Sequence, residues 1–110
     1  MNDVLNNIEN SKIVTLKEDI IYQEGQILHK TLMKNTFTSI TLFSFAKGEA
    51  INTHKSDGDI FVFCLDGLGV VTIDGNQYEL KEGKSIIMPY QCSNAIFAIE
   101  NFKVLLVMLF

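Results

Sequence analysis

The sequence predicts an all-β domain, a single antiparallel sandwich or barrel of roughly 8–10 strands. Short runs of β-branched and aromatic residues alternate with Gly, Asp and Asn turn signals at the spacing of an all-β domain. The 110 residues make one domain, and the 47% hydrophobic content suits a folded core. The segment VVTIDGNQYEL is a clear hairpin, because Asp74 and Gly75 supply the positive φ angles of a tight turn.

The expected elements follow the chain from its N-terminal end. Asp3 is a candidate cap for a short helical turn over VLNNI. The sequence has no linker, repeat or low-complexity tract, so one domain is predicted. Strands are expected near 13–16, 26–34, 37–45, 49–53, 60–65, 68–73, 76–80, 85–88, 94–99 and 102–109.

Side-chain alternation assigns two faces to the strand FTSITLFSF. One face holds Ile40 and Leu42, since successive side chains of a strand point to opposite sides. The other face is expected to hold Phe37, Thr41, Phe43 and Phe45.

The stretch IFVFCL is apolar without alternation, which is typical of a strand covered on both faces. Ile60, Val62 and Cys64 are expected to face the interior. The outward row of Phe61, Phe63 and Leu65 would then form an unusual apolar patch in water. We therefore expect a homodimer that covers this row.

Charge and composition exclude several classes of protein. The net charge is −4 and the basic residues are scattered, so neither a nucleic-acid footprint nor an anionic membrane surface is expected. The N-terminal MNDVLNNIENSK has no basic region and no apolar run, so no secretory signal is expected. The apolar tail KVLLVMLF is far shorter than the roughly 20 residues of a membrane helix. Cys64 and Cys92 make no disulfide framework, and a reducing cytoplasm fits them.

Two stretches resemble the motifs of small bacterial cupins. Gly48, His54 and Gly67 fit the first motif, G-x5-H-x-H-x3-4-E-x6-G, in spacing. Gly83 and Pro89 fit the second, G-x5-P-x-G-x2-H-x3-N. The resemblance implies a double-stranded β-helix, or jelly-roll, barrel that is usually paired into homodimers. We assign 1–110 to a single cupin domain, with an N-terminal extension over 1–12 and a motif-bearing core over 37–110.

The resemblance also indicates which positions hold a metal in metal-bearing cupins: two histidines and a glutamate of the first motif, and a histidine of the second. Here His54 fills one of them, and the other three hold Ser56, Ile60 and Asn94. One imidazole is too few, because a catalytic site usually has three protein ligands. We therefore expect no metal and no cofactor.

An alternative metal site would combine His54 with Asp57 or Asp59. Asp59 would face outward if Ile60 faces inward, so this site needs a bulge at Gly58 to turn a carboxylate toward the barrel. The residues SDGD also suit a plain surface turn, which we favour.

If the cupin register holds, His54, Ser56 and Asn94 converge inside an otherwise apolar barrel. Buried polar groups need partners, and a polar floor in an apolar cup is also the form of a small-ligand site. We predict a binding or sensing barrel for a small polar molecule such as a sugar or organic acid derivative. The alternative is that the three side chains only satisfy one another.

Two other functions stay open. The first is an enzyme: a metal-dependent dioxygenase, isomerase or decarboxylase, or an epimerase with His54 as general base, which would need a partner acid across the pocket. The second is an interaction module with a fully packed interior. His29 is expected to be a packing or rim residue, and Cys92 would be a nucleophile only with His54 within hydrogen-bond reach.

Overall fold

The computed structural model describes residues 4–110, and nearly all of its regular structure is strand. Every strand pairing is antiparallel, which confirms the predicted fold class. In this part of the chain no helix is long and apolar enough to cross a membrane. A 3₁₀ turn at Leu16–Glu18 precedes β1 (Ile27–Lys34), β2 (Thr38–Phe45), β3 (Ala50–Thr53), β4 (Asp59–Ile73), β5 (Asn76–Lys81), β6 (Ser85–Met88) and β7 (Asn94–Leu109).

The long strands β4 and β7 run through both halves of the barrel. In the first half, the C-terminal part of β7 lies between β2 and the start of β4, with β1 and β6 at the two edges. In the second half, the start of β7 lies between β3 and the end of β4, with β5 beyond β4. The strands predicted separately at 60–65 and 68–73, and at 94–99 and 102–109, are therefore two continuous strands.

Gly67 and Gly69 let β4 pass from one half to the other. The pairing of β4 with β7 shifts register between Cys64 and Asp66, and again between Gly67 and Gly69. Gly67 has φ +82°, and a Cβ there would collide with the backbone carbonyl of Asn101. Glycine is thus required by both the left-handed backbone and the close approach of β7.

Most of the predicted faces of β2 are confirmed. Phe43 and Phe45 contact the core between the two halves, whereas Ile40 and Leu42 belong to a second apolar cluster on the outer side. Phe37 is wrongly placed by the prediction, because it precedes β2 and is 72% exposed. The DG hairpin is confirmed, with Ile73 paired to Asn76.

The first part of β4 follows the predicted alternation. Ile60, Val62 and Cys64 are buried in the core. Phe61 is 38% exposed on the outer side of the single chain, so its cover by a second subunit stays a prediction. Leu65 instead packs against the outer cluster.

The segment before β1 covers the outer cluster without forming a strand. Ile8, Leu16 and Ile20 of this segment pack with Leu32 and Leu42. Residues 4–8 are not helical and 13–16 are not a strand, so both of those predictions are wrong. The proposed cap Asp3 lies outside the described residues. Irregular backbone is sufficient here because the cover needs only its apolar side chains.

A buried lysine connects the segment before β1 to the sheet. Lys103 of β7 is 9% exposed, and its ammonium donates a hydrogen bond of 2.5 Å to the carbonyl of Lys17. The same ammonium lies 4.5 Å from the ring centroid of Tyr22, a cation–π contact. The Tyr22 hydroxyl donates to Asp66 at 2.7 Å, and burial together with this carboxylate raises the pKa of Tyr22. The segment is therefore tied to β4 and β7 as well as packed on them.

Candidate functional site

A cavity of about 180 Å³ lies between the two halves at one end of the barrel. Most of its lining is apolar and comes from β2, β3, β4, β6 and β7, including Phe43, Ile60, Met88 and Leu106. Its polar lining consists of neutral side chains only: Ser39, Thr41, Thr53 and Asn94. The site therefore suits a mainly apolar body with a few hydrogen-bonding groups.

Solvent reaches the cavity between β2 and β3. Ser39 and Phe43 of β2 and Ile51 of β3 are half-buried, and Thr53 is exposed. Among the described residues, β3 pairs only with β7 and β1 only with β2, so no ladder of hydrogen bonds closes this side. The cavity consequently has an opening through which a small molecule could pass without unfolding a strand.

The structure places His54 outside the cavity. Its side chain is exposed, immediately after the end of β3. Ile51 and Thr53 line the cavity, whereas His54 follows in a bend and is absent from the cavity lining. The side chain of His54 therefore lies outside the barrel, whereas the sequence predicted that it points inward. His54 instead lines a separate outer concavity with Asn52 and Ser93.

Ser56 is buried but belongs to a loop contact. Its hydroxyl donates to the carbonyl of Pro89 at 2.9 Å, and its backbone accepts from the amide of Gln91 at 3.0 Å. These bonds join the loop before β4 to the loop before β7. Ser56 is absent from the cavity lining, so the structure does not bring it together with a bound molecule there.

Asn94 is the member of the predicted trio that lines the cavity. It is 7% exposed at the start of β7, where Thr53 and Ile73 are its neighbours in register. Its amide nitrogen lies 3.8 Å from the sulfur of Cys92, a weak contact that leaves hydrogen-bonding capacity for a ligand.

The donor set around His54 does not fit a metal ion. Asp59 faces outward as expected beside the buried Ile60, and its carboxylate accepts from the backbone amide of Tyr90 at 2.8 Å. Gly58 makes no bulge toward the barrel, and it packs against the backbone of Leu109. Within residues 4–110, no three His, Cys, Asp or Glu side chains are grouped to hold a metal.

The comparisons with known proteins agree with this architecture. The family model described as "Cupin domain" matches residues 41–107. This chain belongs to the cupin superfamily. A conserved protein of unknown function from Streptococcus pyogenes is 38% identical to this cupin with a TM-score of 0.95, over 98% of this chain and 95% of that one.

Two further solved structures are similar to this cupin. A cupin superfamily protein from Desulfitobacterium hafniense is 30% identical with a TM-score of 0.90, over 96% of each chain. A cupin 2 conserved barrel domain protein from Leptotrichia buccalis is 38% identical with a TM-score of 0.81, over 86% of this chain and 46% of that one. No curated protein matches this cupin.

The motif glycines of this cupin lie at turns. Gly48 and Gly83 have φ +88° and +85° and open space where a Cβ would be. The second motif has a glycine where this cupin has Gln91, and Gln91 nevertheless keeps a left-handed φ of +65°. The backbone shape of the motif is thus retained at the cost of strain in an ordinary L-residue.

Sequence reasoning overlooked most of the cavity residues. Thr41 and Phe43 were assigned to one face of β2, and Ser39 shares that face, so alternation could have found all three. His29 is exposed with its ring 5.8 Å from that of Phe43, which confirms its predicted place at the rim. Cys92 contacts Ser56 and Asn94 rather than a histidine in the described chain, so the nucleophile hypothesis lacks its base.

Proposed function

We propose that this cupin binds a small, uncharged and largely apolar molecule at the open end of its barrel. The observation that carries the proposal is the cavity of about 180 Å³ with an apolar lining and four neutral polar side chains. A dry apolar cavity of about 150 Å³ can hold benzene, so the space suits a single ring or a branched chain.

The polar lining indicates where a hydrogen-bonding group of the ligand would lie. Ser39 and Thr41 are adjacent on the inner face of β2, with their hydroxyl oxygens 3.5 Å apart. Asn94 and Thr53 are register partners on β7 and β3. A hydroxyl or carbonyl group between these pairs would find both donors and acceptors.

The ligand is uncharged because the lining offers no counter-charge. Moving an ion from water into such a site without an opposite charge is costly. The sequence led us to expect a small polar ligand, and the cavity lining favours a neutral and largely apolar one. Of His54, Ser56 and Asn94, only Asn94 lines the cavity and would contact this ligand. The filled interior of a purely structural module does not match the cavity.

Thermal shift with matched probes tests the proposal. Phenol and cyclohexanol are expected to raise the melting temperature, whereas benzoate and cyclohexylammonium, of similar size but charged, are not. Ile51→Phe fills the cavity and should abolish the shift. Asn52→Phe, one residue further on the outer side of β3, should leave it intact. Equal responses to charged and neutral probes, or no response to either neutral probe, would contradict the proposal.

An enzyme is the second candidate, and the cupin family is the reason to keep it. Elemental analysis of protein purified without chelators addresses its metal-dependent form. Stoichiometric iron, nickel, manganese or zinc would favour the enzyme over a simple binding protein.

Cytoplasmic location stays a prediction. It is supported by Cys64 and Cys92, which are both buried free thiols.

We also propose that two copies pair through the part of the outer face that the segment before β1 leaves uncovered. Phe61 of β4 lies in register between Ile87 of β6 and Val107 of β7, and Ile87 is 60% exposed. Light scattering at micromolar concentration should report a dimer. Phe61→Lys should give a folded monomer, whereas Phe97→Lys on the other half of the barrel should leave the dimer unchanged. A wild-type monomer would overturn this pairing.

A further inference from the structure

We infer that this cupin has a second ligand site on the outer surface of the half formed by β3, β7, β4 and β5, and that this site takes a neutral saccharide. The site, here called the outer pocket, is a concavity of about 230 Å³ that borders the barrel cavity, since Thr53 and Asn94 line both. Its other lining residues are Asn52, His54, Thr72, Gly75, Ser93 and Ala95.

Three neighbouring strands build the floor of the outer pocket. Ala95 of β7 lies in register between Asn52 of β3 and Thr72 of β4. These residues alternate with Thr53 and Asn94, which line the barrel cavity, so they project from the opposite side of the sheet. Because Ala95 is small, the side chains of Asn52 and Thr72 stand higher than the floor between them.

The end of the outer pocket is held rigidly by the DG hairpin. The Asp74 carboxylate accepts a hydrogen bond of 2.9 Å from the amide of Ser93, and the Asp74 amide donates to the carbonyl of Ser93 at 2.8 Å. Gly75 leaves space at this end because it has no side chain. The backbone of Ser93 is therefore held in place at the wall of the pocket, and its hydroxyl group is available to bind a ligand.

The lining chemistry points to a ligand rich in hydroxyl groups. The side chains of Asn52, His54, Thr72 and Ser93 form no hydrogen bonds with one another or with the rest of residues 4–110. Each carries both a donor and an acceptor, as the hydroxyl groups of a sugar also do. No Asp, Glu, Lys or Arg lines the pocket, so it offers nothing specific to an anion or a metal ion.

An exposed aromatic ring lies next to the outer pocket on the same face of β7. Phe97 lies two residues beyond Ala95 on the same face of β7 and is 44% exposed, beside Ala50 and Val70. An aromatic ring flanked by small residues gives the C–H face of a pyranose ring an apolar surface to pack on. Neutral hydrogen-bonding side chains beside such a ring fit the two surfaces of a saccharide.

Titrations followed by two-dimensional ¹H–¹⁵N NMR test this inference, with maltose, cellobiose and methyl glucoside as probes. Amide shifts are expected at 52–54, 72–75 and 93–97, with dissociation constants in the millimolar range. Asn52→Ala and Phe97→Ala should each weaken binding about tenfold, since a tenfold change corresponds to about 1.4 kcal/mol. Ile13→Ala, an exposed apolar change in the segment before β1, should leave binding unchanged.

The result separates the two sites. Cyclohexanol should still shift the amides around Thr41 and Leu106 in the Asn52→Ala variant, because the barrel cavity does not depend on Asn52. If no saccharide shifts any amide, or if the shifts fall on Thr41, Leu106 and Met108, which line only the barrel cavity, the outer pocket is not a saccharide site. That outcome would leave the barrel cavity to be judged on its own probes.

Discussion

The two ends of the barrel share the same alternating strands and differ in how the interior is filled. At one end the rings of Phe45 and Phe102 lie 6.1 Å apart and both residues are fully buried. At the other end the same strands, β2 and β7, place Ser39, Thr41 and Met108 around a cavity. Alternation therefore decides which side chains point inward, whereas their volumes decide whether a space remains.

The filled end is also where the backbone approaches most closely. Gly69 faces the ring of Phe102, and a Cβ there would lie 2.5 Å from the ring. Cys64 is fully buried nearby, with its thiol 3.4 Å from the carbonyl of Asp66. We therefore expect substitutions at this end to cost more stability than substitutions around the cavity.

The largest effect is expected from Gly67→Ala at the filled end. The added Cβ would collide with the carbonyl of Asn101, so we expect a loss of more than about 3 kcal/mol in unfolding free energy, or no folding. Gly83→Ala is the matched control, with φ +85° and open space, and should cost only about 1 kcal/mol. Urea denaturation measures both, and equal losses would show that the crossing of β4 tolerates a side chain.

A direct comparison of the ends comes from truncating one side chain at each. Phe102→Ala should destabilise the protein by about 3–5 kcal/mol, because it leaves a void in a packed core. Met108→Ala, at the half-buried edge of the cavity, should cost less than about 2 kcal/mol. If denaturation midpoints fell equally, the distinction between a filled and an open end would be wrong.

A buried thiol at the filled end should make the unfolding free energy fall at alkaline pH. Burial raises the pKa of the Cys64 thiol from 9.0 to about 11, and the Asp66 carboxylate adds to the rise. The folded state thus keeps its proton where the unfolded state loses it. The stabilisation is complete below pH 9.0 and is lost as the pH rises toward about 11.

The variant Cys64→Ala should not show the fall in unfolding free energy that comes from ionisation of the thiol. Its unfolding free energy, relative to that of the wild-type protein, should improve as the pH rises through this range. Both proteins should carry Tyr22→Phe, because the pKa of Tyr22 is also raised and Cys64 contributes to that rise. A constant difference between the two proteins would contradict the assignment.

The smallest effect is expected from Gln91→Gly in the loop before β7. A left-handed φ of +65° is costly for glutamine and free for glycine, although glycine also gains entropy in the unfolded chain. We expect a net stabilisation of about 0.5–1 kcal/mol from thermal unfolding. Asp74→Gly should instead lose stability, because the Asp74 carboxylate accepts a hydrogen bond of 2.9 Å from the Ser93 amide. A loss of stability at Gln91 would mean that its side-chain contacts outweigh the strain.

Sequence reasoning predicted the barrel well and the candidate site only in part. Local patterns were sufficient for the DG hairpin, for the inward row of Ile60, Val62 and Cys64, and for the opposite faces of β2. The direction of His54 was missed because it was taken from motif spacing. The structure ends β3 at Thr53, and that end sets the direction of the next side chain.

The buried Lys103 was also beyond the reach of sequence patterns. Lysine in the apolar tail KVLLVMLF gives no sign of its partners, since Lys17, Tyr22 and Asp66 are distant along the chain. Contacts of this kind exist only after the segment before β1 has packed on the sheet. The same reason applies to the outer pocket, where β3, β4 and β7 each contribute one part of the lining.

The sequence by itself determined the all-β class, most of the strands and which side chains point to the interior, because turn residues and alternation act over a few neighbouring positions. Only the tertiary structure decided where the barrel is filled and where it is open. That outcome depends on the summed volumes of Phe45, Phe102, Thr41 and Met108, which come from separate strands. It also decided that His54 lies outside, because the end of a strand is fixed by its partner as well as by its own residues.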